Sequence, residues 1–179
     1  RRQRQMCIRD RVYLEAGENV VLVGDLHGRT VGLLIPDWMR QPTLGYQPTK
    51  DPEGWGVKKQ EILLHEGANV INVKKAGNVY VDYFADDPDT APAVTIHFVT
   101  GKVNGYFDAT VQSNEDWNRL LDNAVSPVMD VKGKYIQLAY PVEQLKKLAY
   151  GKGKELAENY DKIMQVQYDF SGATKYNRI

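Results

Sequence analysis

Asp25 and His27 stand in Gly-Asp-Leu-His-Gly, the spacing with which a two-metal phosphoesterase site opens, a carboxylate and an imidazole reaching for one ion. Such a site needs several more His, Asp and Asn ligands in companion motifs, and the chain has only His27, His65 and His97. Neither companion motif occurs. The pentapeptide lies between two apolar runs and reads better as a hairpin loop in which Gly28 takes a positive φ. His65-Glu66 begins like H-E-x-x-H, the zinc-peptidase helix motif, but Asn69 fills the place of the second histidine and Gly67 weakens any helix there. His97 falls in mid-strand with no second histidine at ligand spacing. Ser113, Ser126 and Ser171 lie at helix or turn boundaries without a Gly-x-Ser-x-Gly elbow, and Cys7 has no histidine near it in sequence. The stretch Gly151-Lys152-Gly153 lacks the strand and further glycines of a nucleotide-binding loop, and the acidic turn at 85–92 lacks the ligand spacing of a calcium loop. These residues complete neither a catalytic site nor a metal site.

What remains is a surface. Residues 37–56 form a long connection with Pro42, Pro48 and Pro52, no usable period, and three aromatics, Trp38, Tyr46 and Trp55. Loops this long are uncommon unless they function or are disordered, and disordered segments are poor in aromatics. Trp38, Tyr46 and Trp55 are therefore the candidate substrate-binding residues, a stacking platform for sugar rings or aromatic partners. The competing reading has them cover one end of the sheet, the commoner fate of large aromatic side chains.

Strands must position that loop. Up to about residue 110 the pattern has period two or short apolar runs, as in "NVVLVGD", "TVGLLIP", "QEILLHE", "NVINVKK" and "AVTIHFV". In the last of these Val94, Ile96 and Phe98 share one face, with Thr95 and His97 on the other. Gly, Asn, Asp and Pro between the runs suggest short antiparallel hairpins, and no internal repeat is evident. From Ser113 the period becomes helical. Ser113 and Asp116 make a near capping box, Pro141 opens a second helix, and a third runs from about Lys154 to a stop at Gly172. The expected fold class is mainly β with C-terminal helices (α+β), a jelly-roll-like antiparallel β-sandwich followed by short helices. Its expected parts are a linker end at 1–11, the sandwich at 12–112, and helices with a late strand at 113–179.

Lys plus Arg equals Asp plus Glu at 23 each, so no net field draws the molecule to nucleic acid, and no apolar run has membrane-spanning length. A single cysteine excludes an internal disulfide. The chain starts with Arg rather than Met and reads as a piece of something longer.

The segments "AGNVYVDYF", "VTIHFVTGKVNGYFDATVQSNEDWNRLL", "SPVMDVKGKYIQLAYPVEQLKK" and "ENYDKIMQVQYDFSGATKYNRI" resemble, in that order, the region of enhancin-like (gluzincin-type) metallopeptidases that precedes their catalytic helix. The matching positions are Gly77 to Tyr80, Tyr106-Phe107, Trp117, Tyr135 to Tyr140 and Tyr160-Asp161, with Ala76 standing where the family often has a second Gly. The resemblance implies a secreted or surface-attached parent zinc peptidase acting on glycoproteins such as mucins. The family's H-E-x-x-H helix does not occur before Ile179, so this chain is expected to hold no cofactor itself and to be inactive alone, zinc belonging to the parent. The implied partners are the downstream catalytic region and a glycoprotein or glycan. The alternative reading is a freestanding carbohydrate-binding or adhesion module.

Overall fold

The computed structural model describes residues 3–4, 11–37, 58–85, 87 and 89–173. Trp38, Tyr46, Trp55 and Cys7 lie outside them. The chain divides into two compact units, residues 1–103 and 104–179.

Among the described residues the first unit has nine strands: β1 (Gln3–Arg4), β2 (Val12–Leu14), β3 (Gly17–Val23), β4 (Val31–Pro36), β5 (Lys59–Leu63), β6 (Gly67–Val73), β7 (Gly77–Ala85), β8 (Ile96–Phe98) and β9 (Lys102–Val103). They form one six-stranded sheet of order β5-β4-β7-β2-β9, with β1 also on β7, and one three-stranded sheet of order β6-β3-β8. Every pairing is antiparallel. Alternate residues of both sheets enter a single core: Val21, Val23, Ile71 and Val73 from the smaller sheet, and Leu14, Val31, Leu33, Ile35 and Val79 from the larger. Val94, Ile96 and Phe98 pack against it while Thr95 and His97 stay exposed, as the alternation requires.

Most connections are not hairpins. The chain changes sheets from β2 to β3, from β3 to β4, and at every step from β5 to β9, and among the described strands of this unit only β4 and β5 are both consecutive and paired. The expected hairpin at Asp25 to Arg29 is therefore corrected to an inter-sheet corner, because both edges of β3 are taken by β6 and β8. Positive φ occurs there at both His27 (54°) and Gly28 (69°).

Two corners share a short motif absent from the sequence reading. Gly17-Glu18-Asn19-Val20-Val21-Leu22-Val23 and Gly67-Ala68-Asn69-Val70-Ile71-Asn72-Val73 both read Gly-x-Asn-Val-(Val/Ile)-x-Val. In each, the glycine has a positive φ (114° and 88°). Buried Asn19 donates to the carbonyls of Glu15 (3.0 Å) and Gly17 (3.1 Å). Buried Asn69 does the same to His65 (2.7 Å) and Gly67 (3.2 Å). Each amide thus satisfies carbonyls that the corner removes from the ladder. The strands pair with each other, Asn19 opposite Ile71 and Val21 opposite Asn69, so the motif meets its copy across a local two-fold relation.

The second unit holds β10 (Phe107–Asp108), α1 (Asn114–Asp122), β11 (Val128–Lys132), β12 (Gln137–Pro141), α2 (Val142–Ala149) and α3 (Gly153–Phe170). Its sheet has the order β10-β11-β12, parallel in the first pair and antiparallel in the second. Residues 107–108 pair with β11 within this unit. Ser113 caps α1 in a capping box, its side chain accepting from the Asp116 amide while the Asp116 carboxylate accepts from the Ser113 amide. Pro141 sits at the N-cap of α2, and Gly172 (φ 71°) ends α3. The unit is thus mainly helical on a small sheet, and the chain as a whole is mainly antiparallel β with three C-terminal helices. No described helix is long and apolar enough to cross a membrane.

Candidate functional site

The second unit is organised around Trp117. Phe107, Met129, Val131, Leu121, Leu145, Ala149 and Ala157 form its core with Trp117, which is fully buried. The Trp117 ring lies 4.9 Å from that of Phe107 at 58°, and its Nε1 donates to the Ala149 carbonyl at 2.8 Å, which ties α1 to the end of α2. At Gly153 an added Cβ would stand 2.5 Å from a Trp117 ring carbon, so only glycine lets the start of α3 approach the indole. α3 has no side-chain cap of its own. Asn114 of α1 supplies one: its Oδ1 accepts from the Lys154 amide at 2.9 Å and its Nδ2 donates to Glu155 at 3.0 Å.

Farther along α3, Asp161 accepts from the amides of Lys134 (2.8 Å) and Tyr135 (2.7 Å), clamping the β11–β12 turn, where Gly133 leaves room for the carboxylate. The hydroxyls of Tyr140 and Tyr160 meet at 2.5 Å, and that bond raises the pKa of Tyr140 above the ordinary phenol value, with burial adding to it. Tyr135 and Tyr168 pack edge to face at 5.9 Å. Asp108 is buried, and burial pushes its carboxyl up. Hydrogen bonds from Lys132 (2.8 Å) and from the Thr110 hydroxyl and amide outweigh this and hold it below the usual carboxylate value. The same bond raises the Lys132 ammonium.

Phe107, Trp117, Tyr135 to Tyr140, Tyr160 and Asp161, which the sequence singles out, thus come together as packing and clamping groups. Sequence reasoning missed Asp108, Asn114 and Gly153. Asn114 has a detectable signal, directly after the capping serine; the other two depend on partners 24 and 36 positions away in the fold.

The remaining candidates disperse. Asp25 Oδ1 accepts from the His27 amide at 2.6 Å and Oδ2 lies 3.5 Å from its Nδ1, a self-contained turn on an exposed corner. Glu66 Oε1 accepts from the Leu26 amide at 2.9 Å, and the His65 ring nitrogen meets the Glu66 carbonyl. His97 sits on the outer face of β8 opposite Leu22. Ser126 Oγ accepts from the Val128 amide, Ser171 Oγ donates to the Tyr168 carbonyl, and Asp87 caps the turn at Asp89 and Thr90. Among the described residues no three His, Cys, Asp or Glu side chains come together to hold a metal ion. The donors present do not fit a zinc site: the second unit contains no histidine or cysteine at all.

Residues 102–178 match the family model described as peptidase M60, enhancin and enhancin-like. The match takes in less than half of the chain and makes its second unit similar to the enhancin-like M60 peptidases. It runs from β9, the last strand of the first unit, through the second unit to beyond α3. Solved structures extend the likeness to both units. A metallopeptidase from Bacteroides thetaiotaomicron superposes with a TM-score of 0.70 at 22% identity, over 88% of this chain and 26% of its own. The M60 catalytic domain of ZmpC from Clostridium perfringens, in complex with the sialyl T antigen, gives 0.64 at 15% identity, over 94% and 35%. A functionally unknown conserved protein from Bacillus anthracis gives 0.64 at 21%, over 94% and 33%. At these identities the likeness shows the fold, and the chain spans about a quarter to a third of the structures it matches. No curated protein matches it.

Proposed function

We propose that the chain is the noncatalytic β-rich framework of a secreted or surface-attached enhancin-like zinc peptidase that acts on glycoproteins such as mucins. Its role is to carry the catalytic region of the same polypeptide, which brings the zinc. The observation that supports this reading is on α3. Ile163, Val166 and Phe170 recur at helical spacing and are 52%, 67% and 94% exposed, an apolar stripe facing away from the unit's own core. Such a face is stabilised when another surface covers it. The matched structures are three to four times longer than the share this chain covers, which is consistent with a further body available to do so. In this reading Trp38, Tyr46 and Trp55 help position the glycosylated substrate.

The test compares the 179-residue chain with a longer polypeptide that continues through the H-E-x-x-H helix, each incubated with a mucin-type glycoprotein with and without a chelator. Cleavage is expected from the longer polypeptide alone, and Val166→Asp with Phe170→Asp should lower it and its melting temperature together. Chelator-sensitive cleavage by the 179-residue chain would overturn the reading.

A further inference from the structure

We infer that the outer face of the six-stranded sheet binds a neutral sugar ring in a groove floored by Gly32. Gly32 of β4 pairs with Leu63 of β5 on one side and Asp82 of β7 on the other, and because Val31 and Leu33 point into the core, all three face outward. The missing side chain at Gly32 leaves a depression across three strands, part of a concavity of ≈600 Å³. Leu63, 76% exposed, and the ring of Phe84, 39% exposed, give it apolar walls. Arg29, Thr30 and Asp82 also line it.

The polar groups select the occupant. No ion pair or side-chain hydrogen bond engages Arg29, Thr30 or Asp82 among the described residues. Contrast the next outward residue of β7, Tyr80, whose ring is covered by the Arg11 guanidinium at 4.8 Å. Glu61, at the other end of the groove, is neutralised by Lys59 at 2.7 Å. Among the described residues the uncommitted set is therefore one carboxylate, one guanidinium and one hydroxyl, with no net charge. A simple anion or cation would answer one of the two charges and leave the other unmatched. A neutral hexose or N-acetylhexosamine answers both, its hydroxyls donating to Asp82 and accepting from Arg29, while its C–H face rests on Leu63. Gly32 lets the ring approach the backbone. Occupation of this site does not depend on zinc or on a catalytic region, so it stands or falls apart from the framework reading.

The experiment titrates the full 179-residue, isotope-labelled chain with methyl β-galactoside and methyl α-N-acetylgalactosaminide, following backbone amides by NMR. Saturable shifts are expected at Gly32, Leu63 and Asp82, with a dissociation constant on the order of 1 mM for at least one sugar. Asp82→Asn should weaken binding about tenfold, as expected for loss of a charged acceptor, and Thr30→Val should weaken it less, both variants keeping the wild-type melting temperature. No saturable shift at these amides up to about 50 mM sugar would overturn the inference. So would unchanged affinity in Asp82→Asn, or saturable binding of the zwitterion glycylglycine with none of either sugar.

Discussion

Gly153→Ala sets two effects of opposite sign against each other. The residue opens α3 without a positive φ, so nothing in its backbone requires glycine, and helix propensity favours alanine by up to about 1 kcal/mol, less at a first position. Packing argues the other way. A Cβ there stands 2.5 and 2.6 Å from two Trp117 ring carbons and 3.0 Å from its Cβ, so indole and helix must separate by about 1 Å to reach ordinary contact. Trp117 has little freedom to yield, since it is held by Phe107 and by the bond to Ala149. Overpacking of this kind costs about 1–3 kcal/mol, which leaves a net loss of roughly 1–2 kcal/mol. In a unit of this size that lowers the melting temperature by roughly 5–15 °C. Circular dichroism at the helical band reads this unit selectively, because all three described helices belong to it. In a Trp117→Leu background the penalty should largely vanish, giving a positive coupling in the double-mutant cycle. A Gly153→Ala chain that melts at or above the wild-type temperature would refute the reasoning.

Three further outcomes are expected. Asn69→Ala removes the bonds to the His65 and Gly67 carbonyls and the acceptor of the His65 amide, and should cost about 1–3 kcal/mol in denaturant unfolding of the first unit. Ser113→Ala should cost about 1 kcal/mol and reduce helical signal, since it removes the acceptor for the Asp116 amide. Because the Asp108 carboxyl is depressed in the fold, its contribution is full above the ordinary carboxylate pKa of about 4 and is lost as pH falls through the lower folded value. Urea midpoints measured from neutral pH into acid should therefore decline less steeply in Asp108→Asn than in the wild type.

The Ser113-to-Asp116 box, the helical stripes, the glycine stop at 172 and the strand positions were legible because each depends on neighbours within a few residues. Sheet membership was not. Gly17 and Gly67 look like hairpin glycines, and only the buried Asn two positions later, bonding backward to the corner, distinguishes a change of sheet from a return along the same one. The groove over Gly32 was likewise invisible, because Asp82 lies 50 positions from it in sequence and beside it in the sheet. Asp82 carries no local sign of exposure to a ligand. The resemblance to the M60 family, by contrast, rested in part on Trp117, Tyr140, Tyr160 and Asp161, which fasten helices of the second unit to one another and to its small sheet.

The alternation of strands between the two sheets bears on how the first unit comes into being. β3 finds its neighbours only when β6 and β8 exist, and β2 needs β7 and β9. During synthesis, a chain that has emerged only as far as β5 therefore exposes unmatched edges and has, among the described strands, a single native pair available, β4 with β5. Assembly must wait until about residue 100 has cleared the ribosome, and a break in translation before that point yields a substrate for proteases and chaperones rather than a smaller working piece.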